Sequence, residues 1–173
     1  MGAASDDGRS TRHLGLEPHR VPSRAAGADG ATLEGLVADG TITLNVHPVV
    51  ILDRQSQGTR YSTRAAAAMF AVASADPDNA YAYLETLFAN QPEEGTRGLS
   101  DDELIQLAKD AGVDVTAELE ASIRDQEFAD YVAAHSLPEG AKGTPTLVIN
   151  GGEPFSPPRP YNPQDDILSR LNE

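Results

Sequence analysis

Residues 41 to 47 alternate strictly. Ile42, Leu44 and Val46 interleave with Thr41, Thr43, Asn45 and His47, a period of two that predicts a strand, interrupted at Pro48 before the apolar run Val49 to Leu52. His47 falls on the polar face of that strand. Just upstream, Leu33, Leu36 and Val37 are spaced three and four apart and Gly40 follows, which predicts the last turns of a helix closed by a glycine.

Downstream the period changes to that of helices. Ser62 to Ser74 is alanine-rich and predicts a closely packed helix, and Asp76-Pro77 places a cap and a first-turn proline ahead of a helix carrying Tyr81, Leu84, Leu87 and Phe88. Ser100 and Glu103 make a capping box for a helix with Leu104, Leu107, Ala108 and Ala111 as its buried stripe and Gly112 as its stop. A further helix is expected over Thr116 to Ala134, with Leu119, Ile123, Phe128, Tyr131 and Val132 as its apolar members. Asn162-Pro163 predicts a last short helix carrying Ile167, Leu168 and Leu171.

Between these helices lies Gly143-Thr144-Pro145-Thr146-Leu147-Val148-Ile149-Asn150-Gly151. Pro145 lacks a backbone donor and pushes Thr144 out of the helical region, so a strand starts there. Thr146 to Ile149 is β-branched and apolar, and Asn150-Gly151 is a hairpin turn. Pro154, Pro157, Pro158 and Pro160 keep the return strand short.

Composition divides the chain unevenly. Residues 1 to 28 hold four arginines, three acids and few large apolar residues, Leu14, Leu16 and Val21 among them; such a segment buries too little to offset its ordering entropy and is expected to be disordered. Residues 29 to 173 form the expected folded domain. His13 to Arg20 shows no strand character.

The net charge of −14 repels nucleic-acid phosphates and anionic lipid, so neither is an expected partner. No apolar run is long enough to span a bilayer or to serve as a signal peptide, so the chain as written is expected in the cytoplasm. Cysteine is absent, which removes disulfides, thiolate metal sites and thiol chemistry.

Several motifs, taken together, resemble the DsbA-like branch of the thioredoxin superfamily, the disulfide oxidoreductases common in high-GC bacteria. They are Gly143 to Gly151, Leu52-Asp53-Arg54 with Tyr61-Ser62-Thr63-Arg64-Ala65-Ala66, and Leu87-Phe88-Ala89-Asn90-Gln91-Pro92-Glu93-Glu94-Gly95, and the resemblance runs from Ala31 to the C-terminus. It implies an α/β thioredoxin-like fold with a helical insertion, in which the N-terminal central strand is degenerate or missing. It implies a cis peptide bond at Pro145, and it gives Thr144 the family's role of pairing its backbone with an extended peptide or unfolded protein. It also implies that relatives are exported or membrane-anchored.

Family members carry Cys-Pro-x-Cys after the central strand. The counterpart here is Val21-Pro22-Ser23-Arg24, a weak match that keeps the proline and neither cysteine. Disulfide exchange needs a thiolate nucleophile and a resolving thiol, so classical oxidase activity is excluded for this chain and no catalytic residue is assigned.

Three functions follow. One is a redox-dead relative that retains a peptide-binding surface at Thr144 and Pro145. Another is an active disulfide oxidoreductase whose true N-terminus has been replaced over residues 1 to 28 by a wrong start or frame. The third is a serine-type isomerase or glutathione transferase relative using Ser23. No cofactor or metal is expected: His13, His19, His47 and His135 lack ligand spacing, and Asp101-Asp102-Glu103 and Asp165-Asp166 sit in first helical turns, where the helix dipole favours acids. No dinucleotide fingerprint or P-loop is present.

Overall fold

The structure is a computed structural model that describes residues 10–16, 42–135, 144–156 and 169–171. Its sheet has three strands: β1 (Ser10–Leu16), β2 (Ile42–Pro48) and β3 (Thr146–Ile149), in the order β2-β1-β3. β1 is parallel to β2, from Ser10 beside Ile42 to Leu16 beside Pro48, and antiparallel to β3, with Gly15 beside Thr146 and Arg12 beside Ile149.

The central strand is therefore present, and this corrects the reading of His13 to Arg20 as lacking strand character. It also falls inside the segment expected to be disordered, so the sheet crosses the division drawn at residue 28. Ser-Thr-Arg-His-Leu-Gly-Leu has a degenerate strand sequence. A strand paired on both sides gains backbone hydrogen bonds whatever its side chains are, and that context outweighs weak local preference. The expected helix ending at Gly40 and the helix start at Asn162-Pro163 lie outside the described residues.

The helices follow as α1 (Tyr61–Ala75), α2 (Ala80–Ala89), α3 (Asp101–Asp110), α4 (Ala117–Arg124), α5 (Ala129–Ala134) and the last turn α6 (Ser169–Leu171). Their core joins Tyr61, Ala65, Ala68 and Val72 of α1 to Tyr83, Leu84, Leu87 and Phe88 of α2, Leu104, Ile105 and Ala108 of α3, and Leu119 and Ile123 of α4. Ala65 to Ala68 are all buried, which lets neighbouring elements approach α1 closely. Tyr83 buries its ring and donates its hydroxyl to the Leu104 carbonyl at 3.2 Å, joining α2 to α3.

Two helix expectations are corrected. Thr116 to Ala134 is two helices, broken where Gln126 takes φ +52°. Ile123 and Val132 are both buried, yet nine residues on an unbroken helix turn through about 900° and so place them on opposite faces. The break resets the phase. Asp76, expected to cap α2, does not: Pro77–Asn79 is a 3₁₀ turn, and the Asp76 carboxylate accepts instead from Asn79 Nδ2 at 2.9 Å and from the backbone N–H of Asp114 at 3.1 Å. That carboxylate ties the α1–α2 junction to the loop after α3, and both bonds hold its pKa below the usual range.

The capping box forms as its spacing predicts. Ser100 Oγ accepts from the Glu103 N–H while Glu103 Oε2 accepts from the Ser100 N–H at 2.8 Å, and Gly112 closes α3 at φ +86°. Leu104 and Ala108 are buried as expected, but Ile105 completes the stripe, with Leu107 and Ala111 half-buried beside it.

Candidate functional site

Parallel pairing of β1 with β2 brings their C-terminal ends level, at Leu16 and Pro48. Antiparallel pairing brings the start of β3 to the same end, since Thr146 sits beside Gly15 and Thr144-Pro145 lies just before it. Thr144 and Pro145 are half-buried, whereas Thr146, Leu147 and Val148 are buried. The Thr144–Pro145 peptide bond is cis.

The far side of β3 is occupied at its middle. Leu147 and Phe155 exchange backbone hydrogen bonds of 2.8 and 3.0 Å, through a turn in which Asn150 and Gly151 take φ +53° and +71° and Gly152 N–H donates to the Ile149 carbonyl at 2.9 Å. Those left-handed values are what the Asn-Gly pair supplies most readily. The Arg170 guanidinium lies 4.3 Å above the Phe155 ring, so α6 holds the return segment in place. Among the described residues, no backbone hydrogen bond is made by Thr144. Its main-chain groups sit at a fixed sheet end beside strands that are already paired.

The motifs that carried the resemblance also acquire a physical role. Arg60, at the N-cap of α1, is left-handed at φ +54° and offers no side-chain cap. The cap comes from outside the helix. Asp53 Oδ1 accepts from the Thr63 N–H at 2.9 Å, Asp53 Oδ2 accepts from the Thr63 hydroxyl at 2.5 Å, and Ser56 Oγ accepts from the Tyr61 N–H at 3.1 Å. The segment that leaves β2 is thereby fixed to α1.

Arg64, 9% exposed, then ties α1 to the loop before α3: Nη1 donates to Asp101 Oδ1 at 2.8 Å, Nη2 to the Leu99 carbonyl at 2.6 Å, and Nε to the Thr59 carbonyl at 3.0 Å. Burial pushes the Tyr61 phenol up to about 12, with Arg64 opposing and Glu103 adding to the rise. Tyr83 is raised by burial as well, further increased by Tyr61.

Acids in the first turns of α3 and α4 engage the protein itself. Glu103 accepts from Ser100, Asp102 pairs with Arg124, and Glu120 accepts from Lys109 Nζ at 2.8 Å, which keeps Glu103 and Glu120 below the ordinary carboxylate range and raises Arg124. Among the described residues no group of three His, Cys, Asp or Glu side chains could hold a metal ion, and no helix is long and apolar enough to cross a membrane.

Of the residues singled out from sequence, Thr144 and Pro145 are at the sheet end. Val21, Pro22, Ser23 and Arg24 lie outside the described residues. The residues next after β1 in sequence are Glu17-Pro18-His19-Arg20, a second x-Pro-x-x tetrad upstream of Val21 to Arg24. The weak strand pattern of Ser10 to Leu16 gives no sequence signal that would single it out. In sequence Arg64 belongs to the motif Tyr61 to Ala66, and the signal for its three hydrogen bonds is a lone arginine inside an alanine-rich helix.

A mixed sheet whose central strand has a parallel neighbour on one side and, on the other, an antiparallel strand entered through proline, with helices between the two, defines a thioredoxin-like fold. A family model described as Thioredoxin matches residues 26–162, and the chain belongs to that family.

Among solved structures, the reduced DsbA of Mycobacterium tuberculosis superposes with a TM-score of 0.80 at 22% identity, over 99% of this chain and 85% of that one. The reduced disulfide bond oxidoreductase DsbG of the same organism gives a TM-score of 0.75 at 24% identity, over 88% of this chain and 75% of that one. These likenesses show the fold. Among curated proteins, the serine/threonine-protein kinase PknE of M. tuberculosis is 36% identical over 89 residues, 49% of this chain. The matched stretch is 16% of that kinase.

Proposed function

We propose that this chain is a thioredoxin-fold binding module that holds an extended peptide or unfolded segment by main-chain pairing at Thr144, ahead of Pro145, without disulfide exchange. The observation that carries this reading is the place of Thr144 at a sheet end whose strands are already paired, where its backbone makes no hydrogen bond among the described residues. Strand-addition recognition requires only exposed main-chain groups and a neighbouring surface. The absence of cysteine removes the redox step and leaves the binding step intact.

The test pairs two assays. Insulin reduction is expected to stay at background. A fluorescein-labelled extended peptide is expected to bind, and the same peptide N-methylated at its central amides is expected not to, because methylation removes the donors that main-chain pairing uses. Equal binding of both peptides sinks the proposal.

One observation favours a second reading. The family match begins at residue 26, leaving out β1 and both x-Pro-x-x tetrads. In that reading another start or frame supplies Cys-Pro-x-Cys, and the module is an active disulfide oxidoreductase. An intact mass of the protein from its native source decides between them.

A further inference from the structure

We propose that Asn150 is a site of spontaneous covalent modification, converting to aspartate and isoaspartate by attack of the Gly151 main-chain nitrogen on its carboxamide, at a rate set by opening of the hairpin turn. The inference is independent of the Thr144 reading. Asn150 and Gly151 are both exposed at the tip of the turn that joins β3 to Phe155, and they are the one Asn-Gly pair in the sequence. Among the described residues, neither the Asn150 carboxamide nor the Gly151 N–H makes a hydrogen bond. Gly151 carries no Cβ to obstruct the approach of its nitrogen.

The other described asparagines lack this combination. Asn79 Nδ2 donates to Asp76 at 2.9 Å and Asn90 Nδ2 to the Thr86 carbonyl at 2.9 Å, and each residue precedes one that bears a side chain. Asn45 lies inside β2 ahead of the β-branched Val46.

The reaction balances with water as its co-reactant. The Gly151 nitrogen bonds to Asn150 Cγ, ammonia leaves Cγ carrying away the proton of that nitrogen, and a cyclic succinimide remains. Water then opens the ring. Breaking the bond between Cγ and nitrogen restores the main chain as aspartate, whereas breaking the bond between the residue 150 carbonyl carbon and nitrogen reroutes the main chain through Cβ and Cγ as isoaspartate. Nothing is oxidised or reduced, and either product ionises to a carboxylate.

The turn controls access to this chemistry. Asn150 and Gly151 sit at φ +53° and +71°, the left-handed pair of a two-residue hairpin turn, closed by the Gly152 N–H on the Ile149 carbonyl at 2.9 Å. Ring closure requires rotation about the Asn150 Cα–C bond out of the left-handed well, and that rotation breaks the closing bond. Only the opened turn reacts. Isoaspartate adds a carbon to the main chain and no longer fits the turn, so the bonds of 2.8 and 3.0 Å between Leu147 and Phe155 loosen in that product.

The full chain and a synthetic peptide of residues 144–156 are incubated side by side in mildly alkaline buffer and followed by intact mass, peptide mapping and enzymatic methylation of isoaspartate. The mass gain of an amide-to-acid conversion is expected at Asn150 in both, at least about tenfold more slowly in the folded chain, with the two rates converging in urea. Asn150→Gln, whose longer side chain closes a ring far more slowly, is expected to remove that gain. The isoaspartate form, separated by ion exchange, is expected to lose amide-exchange protection at Leu147 and Phe155. A folded chain that stays unconverted over many half-lives of the peptide overturns the site, as does an undiminished mass gain in Asn150→Gln. Equal rates in the folded chain and the peptide overturn control by the turn. Unchanged protection in the isoaspartate form overturns the effect on the Phe155 segment.

Discussion

Arg64 Nη1 lies 2.8 Å from Asp101 Oδ1, joining the first turn of α1 to the first turn of α3 across 37 residues of sequence. The guanidinium is nearly buried while the carboxylate is 29% exposed, so the arginine meets the larger desolvation cost and depends more on its partners. Arg64→Met keeps the volume but leaves Asp101 and the carbonyls of Leu99 and Thr59 without their donor. The expected loss is about 3 kcal/mol, read as a lower urea midpoint with unchanged slope. Asp101→Asn, at a more solvated position, is expected to cost clearly less.

The same loop makes its closest approach at Gly98. A Cβ there would lie 2.3 Å from Tyr61 Cγ, and the backbone sits at φ +69°. Gly98→Ala is expected to cost about 3 kcal/mol or more, from overpacking against a buried ring together with left-handed strain. Gly95 offers the control: it has φ +80° but open space around it, so Gly95→Ala should cost only about 1 kcal/mol. Equal costs in chemical denaturation would show that backbone strain, and not the Tyr61 contact, dominates at residue 98.

Asp53 acts as a cap supplied from ten residues upstream of Thr63. Asp53→Ala is expected to lower stability by about 1 to 2 kcal/mol, the ordinary range for loss of a helix cap. Amide hydrogen exchange locates the effect, with protection falling first over Tyr61 to Ala65. Uniform loss across the chain would assign Asp53 to the core and not to the helix start.

Acid should weaken the α3 region in a defined order. Ser100 holds the folded pKa of Glu103 below the ordinary 4.5 by donating its backbone N–H and its hydroxyl. A depressed folded pKa stabilises the fold fully above the unfolded value, and that contribution is lost as pH falls through the folded value. The melting-temperature gap between the wild type and Glu103→Gln is therefore expected to hold constant at neutral pH and to close as the pH drops below about 4.5. A gap that persists at pH 2.5 would refute the assignment.

At the alkaline end the phenols should separate. Of the five tyrosines, Tyr61 is pushed up to about 12 by burial and Tyr83 is raised by burial too. Both ionise more readily in the unfolded chain, so their contribution to stability is present below the ordinary phenol value of 10 and is lost as pH rises above it. Ultraviolet titration of phenolate formation is expected to show two groups lagging behind the rest until the protein unfolds. Tyr83→Phe removes one of them.

Local chemistry alone determined the cysteine-free character of this chain, the β2 alternation, the capping box at Ser100 and Glu103, and the proline-led strand ending in Asn-Gly. In each case the cause lies within a few neighbouring residues: a period of two, a serine three residues before a glutamate, a fixed φ. Tertiary structure decided the rest. β1 became the central strand because two neighbours pair with its backbone, a benefit that its side chains do not encode. The break at Gln126 lets Ile123 and Val132 both be buried, which one unbroken helix would place on opposite faces, and the remote cap by Asp53 and the burial of Arg64 depend on segments brought together only by folding.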